Sequence, residues 1–303
     1  MVPRTRIPIL PRRAHTVPQS RARARGMTLI ELVIVIVLSA IVVSFMSILI
    51  VTPIDAFTAQ KQRAQLGDAA DGALRLMARD LRSALPNSVR TAAGGTVVAI
   101  ELLATVDGAR YQDNGPLANA ALWLNFAATD TGFSTTVPFT QITLPYSSST
   151  SYLSIFNIGV PGADAYALAN VITPAGSTIS IAAGATPNAQ LVTFSKPFQF
   201  SFGSPEKRVY LVSGPVSYLC DTSVSTLTRY SGYTINATQP TSAASLSAAG
   251  ATSGVVATNV AGCQFTYASG TSKRVGMASL LLQMGNNGQQ VQLLQQTHLV
   301  NAP

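Results

Sequence analysis

Charge is scarce in this chain of 303 residues: Asp, Glu, Lys and Arg together make up 11%. That share is low for a cytosolic protein and suits one that is exported or built into an assembly. The cations are also badly placed for nucleic acid. Of 20 Lys and Arg, seven (Arg4, Arg6, Arg12, Arg13, Arg21, Arg23, Arg25) precede Gly26, where no Asp or Glu occurs; 20 − 7 = 13 remain against 12 acidic residues. No Lys or Arg stands between Arg110 and Lys196. A phosphate backbone is held by clustered cations that release its counterions, so the net charge of +8 does not mark a nucleic-acid partner.

Cysteine and histidine are nearly absent too. Two cysteines, Cys220 and Cys263, are the fewest that can bridge, and export would favour a disulfide between them; the alternative is two separate buried thiols. A bridge over that span is worth about 3–4 kcal/mol. A zinc site needs more ligands than two Cys and one usable His. His15 lies far forward and His298 sits in a strand-like stretch, so neither reads as catalytic. The chain has no G-x-S-x-G, Walker loop, H-E-x-x-H, EF-hand loop or G-x-G-x-x-G. Asp107, Asp113, Asp130 and Asp164 stand in turn-like contexts, where solvated aspartates belong, with calcium ligation as the lesser alternative. Trp123, Tyr146, Tyr152, Phe156 and Tyr166 read as core rather than as a sugar-binding patch. The expectation is no enzyme, no cofactor and no metal.

What the sequence does have is one long apolar run. Between Met27 and Ile54 the only charge is Glu31, and Leu32–Val51 as a helix spans about 30 Å, the thickness of a bilayer core. Arginines precede it and none follows before Lys61, which places the N-terminus in the cytoplasm and the rest outside. The run ends Leu49-Ile50-Val51-Thr52-Pro53, without an A-x-A-like site, so it is retained. A carboxylate in such a helix costs roughly 2.5–3.5 kcal/mol near mid-bilayer and calls for a partner, or else for the headgroup boundary.

The segment Gly26-Met27-Thr28-Leu29-Ile30-Glu31-Leu32 resembles the processing site of type IV pilins and type II secretion pseudopilins. In that family a basic leader ends in Gly, a membrane peptidase cuts after it, the new N-terminal residue is N-methylated, and a Glu stands four residues later. The resemblance implies cleavage after Gly26, methylation of Met27 (where the family usually has Phe), and Glu31 as the subunit-assembly carboxylate, paired with the α-amino group of a neighbour's Met27. It implies as partners a prepilin peptidase, other minor and major pilin subunits, inner-membrane lipid and a pilus assembly platform. The location implied is the bacterial inner membrane, single-pass, with a periplasmic body that can enter the pilus.

After Pro53 the pattern becomes amphipathic. Leu66, Ala70, Leu74, Met77, Leu81 and Leu85 recur at helical spacing, Asp71 and Arg75 form an i,i+4 pair, and Pro86 ends the helix. Thr28–Leu85 would be about 87 Å long, with Pro53 and Gly67/Gly72 as candidate kinks. From Thr91 the pattern is that of strands: Val97–Leu103, Gln141–Leu144, Leu153–Ile158, Leu191–Phe194, Arg208–Val212, Val216–Cys220, Thr226–Tyr230, Cys263–Tyr267, Met277–Met284 and Gln289–Leu294. The last two are joined by a Gly285-Asn286-Asn287-Gly288 hairpin, and Ser242–Gly254 reads as a loop. The fold class expected is α+β: a long N-terminal helix packed on a mainly antiparallel β-rich body. Its divisions are a leader at 1–26, a membrane or filament-core half-helix at 27–53, a stem at 54–86 and a body at 87–303.

Leu74–Arg90, Val209–Asp221, Leu227–Tyr233 and the end His298–Pro303 are similar to the MshO family of MSHA pilus biogenesis proteins, which are minor pilins. This implies a role in assembling or priming a type IV pilus. The alternatives are a minor pseudopilin of a type II secretion system, a tip adhesin that binds a glycan, and, least favoured, a membrane-tethered hydrolase.

Overall fold

A computed structural model describes residues 26–113, 122–270 and 275–299. The leader arginines, His15 and the terminal residues from Val300 lie outside the described residues. The elements are α1 (Leu29–Arg82), β1 (Arg90–Gly94), β2 (Val97–Tyr111), β3 (Asp130–Val137), β4 (Tyr146–Ser148), β5 (Tyr152–Ser154) and β6 (Ile179–Ala183). They continue with β7 (Gln190–Phe198), β8 (Arg208–Asp221), β9 (Thr226–Ser231), α2 (Ala243–Ala248), β10 (Thr252–Thr258), β11 (Val260–Ala268), β12 (Gly276–Asn286) and β13 (Gln289–Leu299). The chain divides into two compact units, Met1–Phe57 and Thr58–Pro303.

In the first unit Leu29–Ser47 is long and apolar enough to cross a bilayer, and none of it is buried. Its hydroxyls are satisfied within the helix: Ser44 donates to the Ala40 carbonyl (2.8 Å) and Ser47 to that of Val43 (3.0 Å). A span in lipid needs such internal pairing, because no water is there to supply it.

The second unit is antiparallel β-sheet around the stem part of α1. One sheet runs β10-β9-β8-β2-β3-β7-β6-β4, with β1 on β2 and β5 on β8; the other runs β11-β12-β13. Leu66, Ala70, Ala73, Leu74, Met77 and Leu81 share one core with Ile100, Leu102, Val216 and Tyr218 of the large sheet and Phe265, Leu280 and Leu282 of the small one. Large apolar side chains buried in this way contribute about 1.5–3 kcal/mol each. The expected helical face is therefore the face that packs. The long strands β2 and β8 then leave this core and enter a second one with Phe133, Ile181, Val192 and Phe194.

The α+β architecture holds, with several corrections of detail. The helix stops at Arg82, before Pro86, because the chain has already joined the sheet: Ala84 bridges Ala104 and Leu85 N–H donates to Leu103 (2.7 Å). Gln141–Leu144 is not a strand, since Gln141 N–H is taken by the Asp107 carboxylate; β4 starts beyond it. Leu153–Ile158 is shortened to β5, because Phe156 turns to φ +58°. Arg208–Val212 and Val216–Cys220 are one strand. Gly214, at φ +120°, absorbs an irregularity, and Pro215 lies between the stretches flanked by β5 and β9, where a missing N–H is tolerated. Ser242–Gly254 is not all loop: Ser242 Oγ caps α2 through Ser245 N–H (3.1 Å), Leu246 is buried, and β10 begins at Thr252.

Candidate processing and assembly site

Gly26, Met27 and Thr28 precede the helix as exposed, non-helical chain. Among the described residues a side chain at Gly26 would meet nothing within 4 Å. Thr28 starts the helix: its carbonyl accepts from Leu32 N–H (3.1 Å) and its Oγ1 accepts from Glu31 N–H (3.3 Å). Thr28-Leu29-Ile30-Glu31 thus has the T-x-x-E spacing of a capped N-terminus, and the Glu31 carboxylate stands in the first turn, where the helix dipole favours an anion by about 0.3–1 kcal/mol. The spacing alone carries this local role, beside the lipid and partner roles that the sequence suggested. Glu31 and the apolar side chains around it are exposed, ready for contacts the chain does not make with itself.

The model of the prokaryotic N-terminal methylation motif matches residues 21–47. The chain carries a type IV pilin signature. The match takes in Gly26, Met27, Glu31 and the whole of the apolar span Leu29–Ser47, while the body lies outside it. No curated protein and no solved structure matches the chain. A pilin motif points to a structural rather than an enzymatic protein, anchored by its apolar helix, with prepilin peptidase and other pilin subunits as general partners.

In the body, two polar nodes were not read from the sequence. Asp80, on the stem, accepts from Tyr218 Oη (2.8 Å) and Arg229 Nε (2.8 Å), tying helix to sheet. Burial, and then the Asp80 charge, pushes the Tyr218 hydroxyl well up, so it stays a donor. Asp80 follows Ala73 by seven residues and Met77 by three, which places it on the buried helix face; that spacing was the available signal. Asp80→Ala should destabilise the body by roughly 2–3 kcal/mol, because it strands the buried Tyr218 hydroxyl and takes the carboxylate partner from half-buried Arg229; a urea unfolding curve measures this.

The second node centres on fully buried Glu101. Arg90 Nε donates to it (2.7 Å), Tyr233 Oη donates to it (2.8 Å), and Ser217 shares a hydrogen bond with Tyr233 (2.7 Å). Arg90 also donates to the carbonyls of Asn236 and Ala237 and lies 3.6 Å over the Tyr166 ring. Burial raises the Glu101 pKa, against the opposing pull of Arg90 and Tyr233. The folded state therefore holds this proton more tightly than the unfolded chain. The resulting stabilisation is complete below the ordinary Glu value of about 4.3 and is lost as pH rises towards the raised one. Melting temperature followed across that window should show this contribution growing on acidification in the parent and absent in Glu101→Gln.

The remaining candidates are placed as follows. Cys220 and Cys263 form a disulfide that joins β8 to β11, and so the large sheet to the small one. Reducing it should lower the melting temperature by on the order of 10 °C, the equivalent of about 3–4 kcal/mol. Asp71 and Arg75 pair at 2.7 Å on the exposed side of the stem. Asp107, Asp130 and Asp164 accept backbone N–H groups, and Asp113 pairs with Lys207 (2.6 Å). Among the described residues no group of three or more His, Cys, Asp or Glu could hold a metal ion. Tyr152 and Tyr166 are buried together, whereas Tyr146 and Phe156 pack on a different core, so the aromatics do not form one patch. His298 is exposed on β13.

Proposed function

We propose that the chain is a minor pilin of the MshO kind, which helps to assemble or prime a type IV pilus by helix packing with other pilin subunits. The observation that carries the reading is a convergence. Three of the four segments in which the chain resembles that family, Leu74–Arg90, Val209–Asp221 and Leu227–Tyr233, supply Asp80 and Arg90, Ser217 and Tyr218, and Arg229 and Tyr233 to the two nodes. The first node fastens the stem to the head and the second ties strands within the head, as a pilin architecture with a stem helix packed on a β-rich body needs.

In this reading the peptidase cuts after Gly26 on the cytoplasmic side, Met27 is methylated, and the stem at 54–86 and the body at 87–303 are periplasmic. Glu31 pairs with the α-amino group of a neighbour's Met27, which fixes the register of one helix on the next. A deletion strain tests the role. Loss of surface pili with protein secretion intact is the expected result, and loss of secretion with normal pili would assign the chain to a pseudopilus instead.

A further inference from the structure

Sheet edges with free N–H and C=O groups recruit other strands, and proteins blunt them by shortness, bulges, proline or charge. Most edges of this body are blunted. At the ends of the large sheet, β4 has three residues, and β10 carries a register irregularity between Val255 and Ala257. In the small sheet β11 is irregular between Val260 and Gly262. The outer strand β13 differs. It has 11 residues in unbroken register with β12, from Gly276↔Leu299 to Asn286↔Gln289. It contains no Pro, Lys, Arg, Asp or Glu. Among the described residues no backbone hydrogen bond reaches it except from β12.

We propose that β13 is a docking edge for the β13 of a second copy of this chain, paired antiparallel about a two-fold axis at Leu294. The outward row reads Gln290, Gln292, Leu294, Gln296, His298, and all five residues are exposed, Leu294 at 60%. The row is nearly a palindrome. A two-fold at its centre sets Leu294 on Leu294, Gln292 on Gln296 and Gln290 on His298. Apolar meets apolar, amide meets amide, and no like charges face each other, which is the condition for favourable cross-strand pairs. The inner row of β13 stays turned towards the core, with Thr297 and Leu299 buried. Because each copy has one such edge, pairing uses it up and closes at two chains. The pairing is independent of which pilus or pseudopilus the chain serves.

The test uses the full chain in cell membranes. Leu294→Cys, treated with a short bis-maleimide, should give a dimer whose linked peptide joins position 294 of one copy to position 294 of the other. The equally exposed Val224→Cys control should give at least severalfold less. Differently tagged full-length copies in mild detergent supply the second arm. Leu294→Glu alone and Leu294→Lys alone should each lose co-purification, since like charges then face across the axis, and mixing the two variants should restore it. Any of three results overturns the proposal: no excess of dimer over the control, a cross-link to a different protein without one to its own copy, or Glu and Lys variants that fail to rescue each other.

Discussion

Valine at position 31 is expected to leave the chain in the membrane but abolish its co-purification with other pilin subunits. The substitution removes little from the chain itself. Glu31 is exposed, and its contact with Thr28 runs through the backbone N–H, which valine keeps. What disappears is a carboxylate in an apolar stretch. If a partner's amino group lies against it, leaving that cation unpaired costs about 3–5 kcal/mol, which weakens association by more than about a hundredfold. Glu31→Asp, one methylene shorter, should retain part of the assembly, and Glu31→Gln, equal in size without charge, should behave like valine. The readouts are pull-down with the other minor pilins and counts of surface pili in a strain lacking the native copy. Normal assembly by Glu31→Val would reject charge pairing and leave the carboxylate a capping group at the helix N-terminus.

Gly26→Val is expected to block leader removal completely. Among the described residues a side chain there would meet nothing within 4 Å, so the substitution disturbs none of their packing. Any loss of cleavage then arises in the peptidase groove, where glycine alone lets the backbone approach closely. The uncut precursor should insert normally, still form the Cys220–Cys263 bridge, and run larger on a gel by the mass of the leader. Processing of Gly26→Val at the parental rate would move the cleavage site elsewhere.

The parts of this molecule legible in its sequence are those fixed by local chemistry. An uninterrupted apolar run makes a membrane-length helix in any context, and Leu66 through Leu81 repeat at a spacing that only a buried helical face requires. The Gly285–Gly288 hairpin was equally plain: Asn287 and Gly288 both take positive φ, as a two-residue turn demands. The missed strands β1, β3, β4, β6 and β10 are short or rich in Ala, Ser, Thr and Gly, and they become strands because a neighbour offers its edge. Asp80 and Glu101 were missed for a related reason. Their partners Arg229 and Tyr233 are 149 and 132 residues away, a distance that no periodicity records. The N-terminal motif was legible because its residues are contiguous, and the methylation-motif match spans them. The docking edge needed the sheet order before the symmetry of its outward row had any meaning.

Manufacture as a prepilin, matured at one bond, is central to every role proposed for this chain. Intact-mass and peptide mass spectrometry of the protein isolated from envelope membranes tests it most directly. The expected result is a mature chain that begins at Met27, carries one added methyl group on its α-amino nitrogen, and retains Glu31 and the whole apolar run. A mature chain that begins at any other residue, or one that still carries Arg21–Gly26, would contradict it.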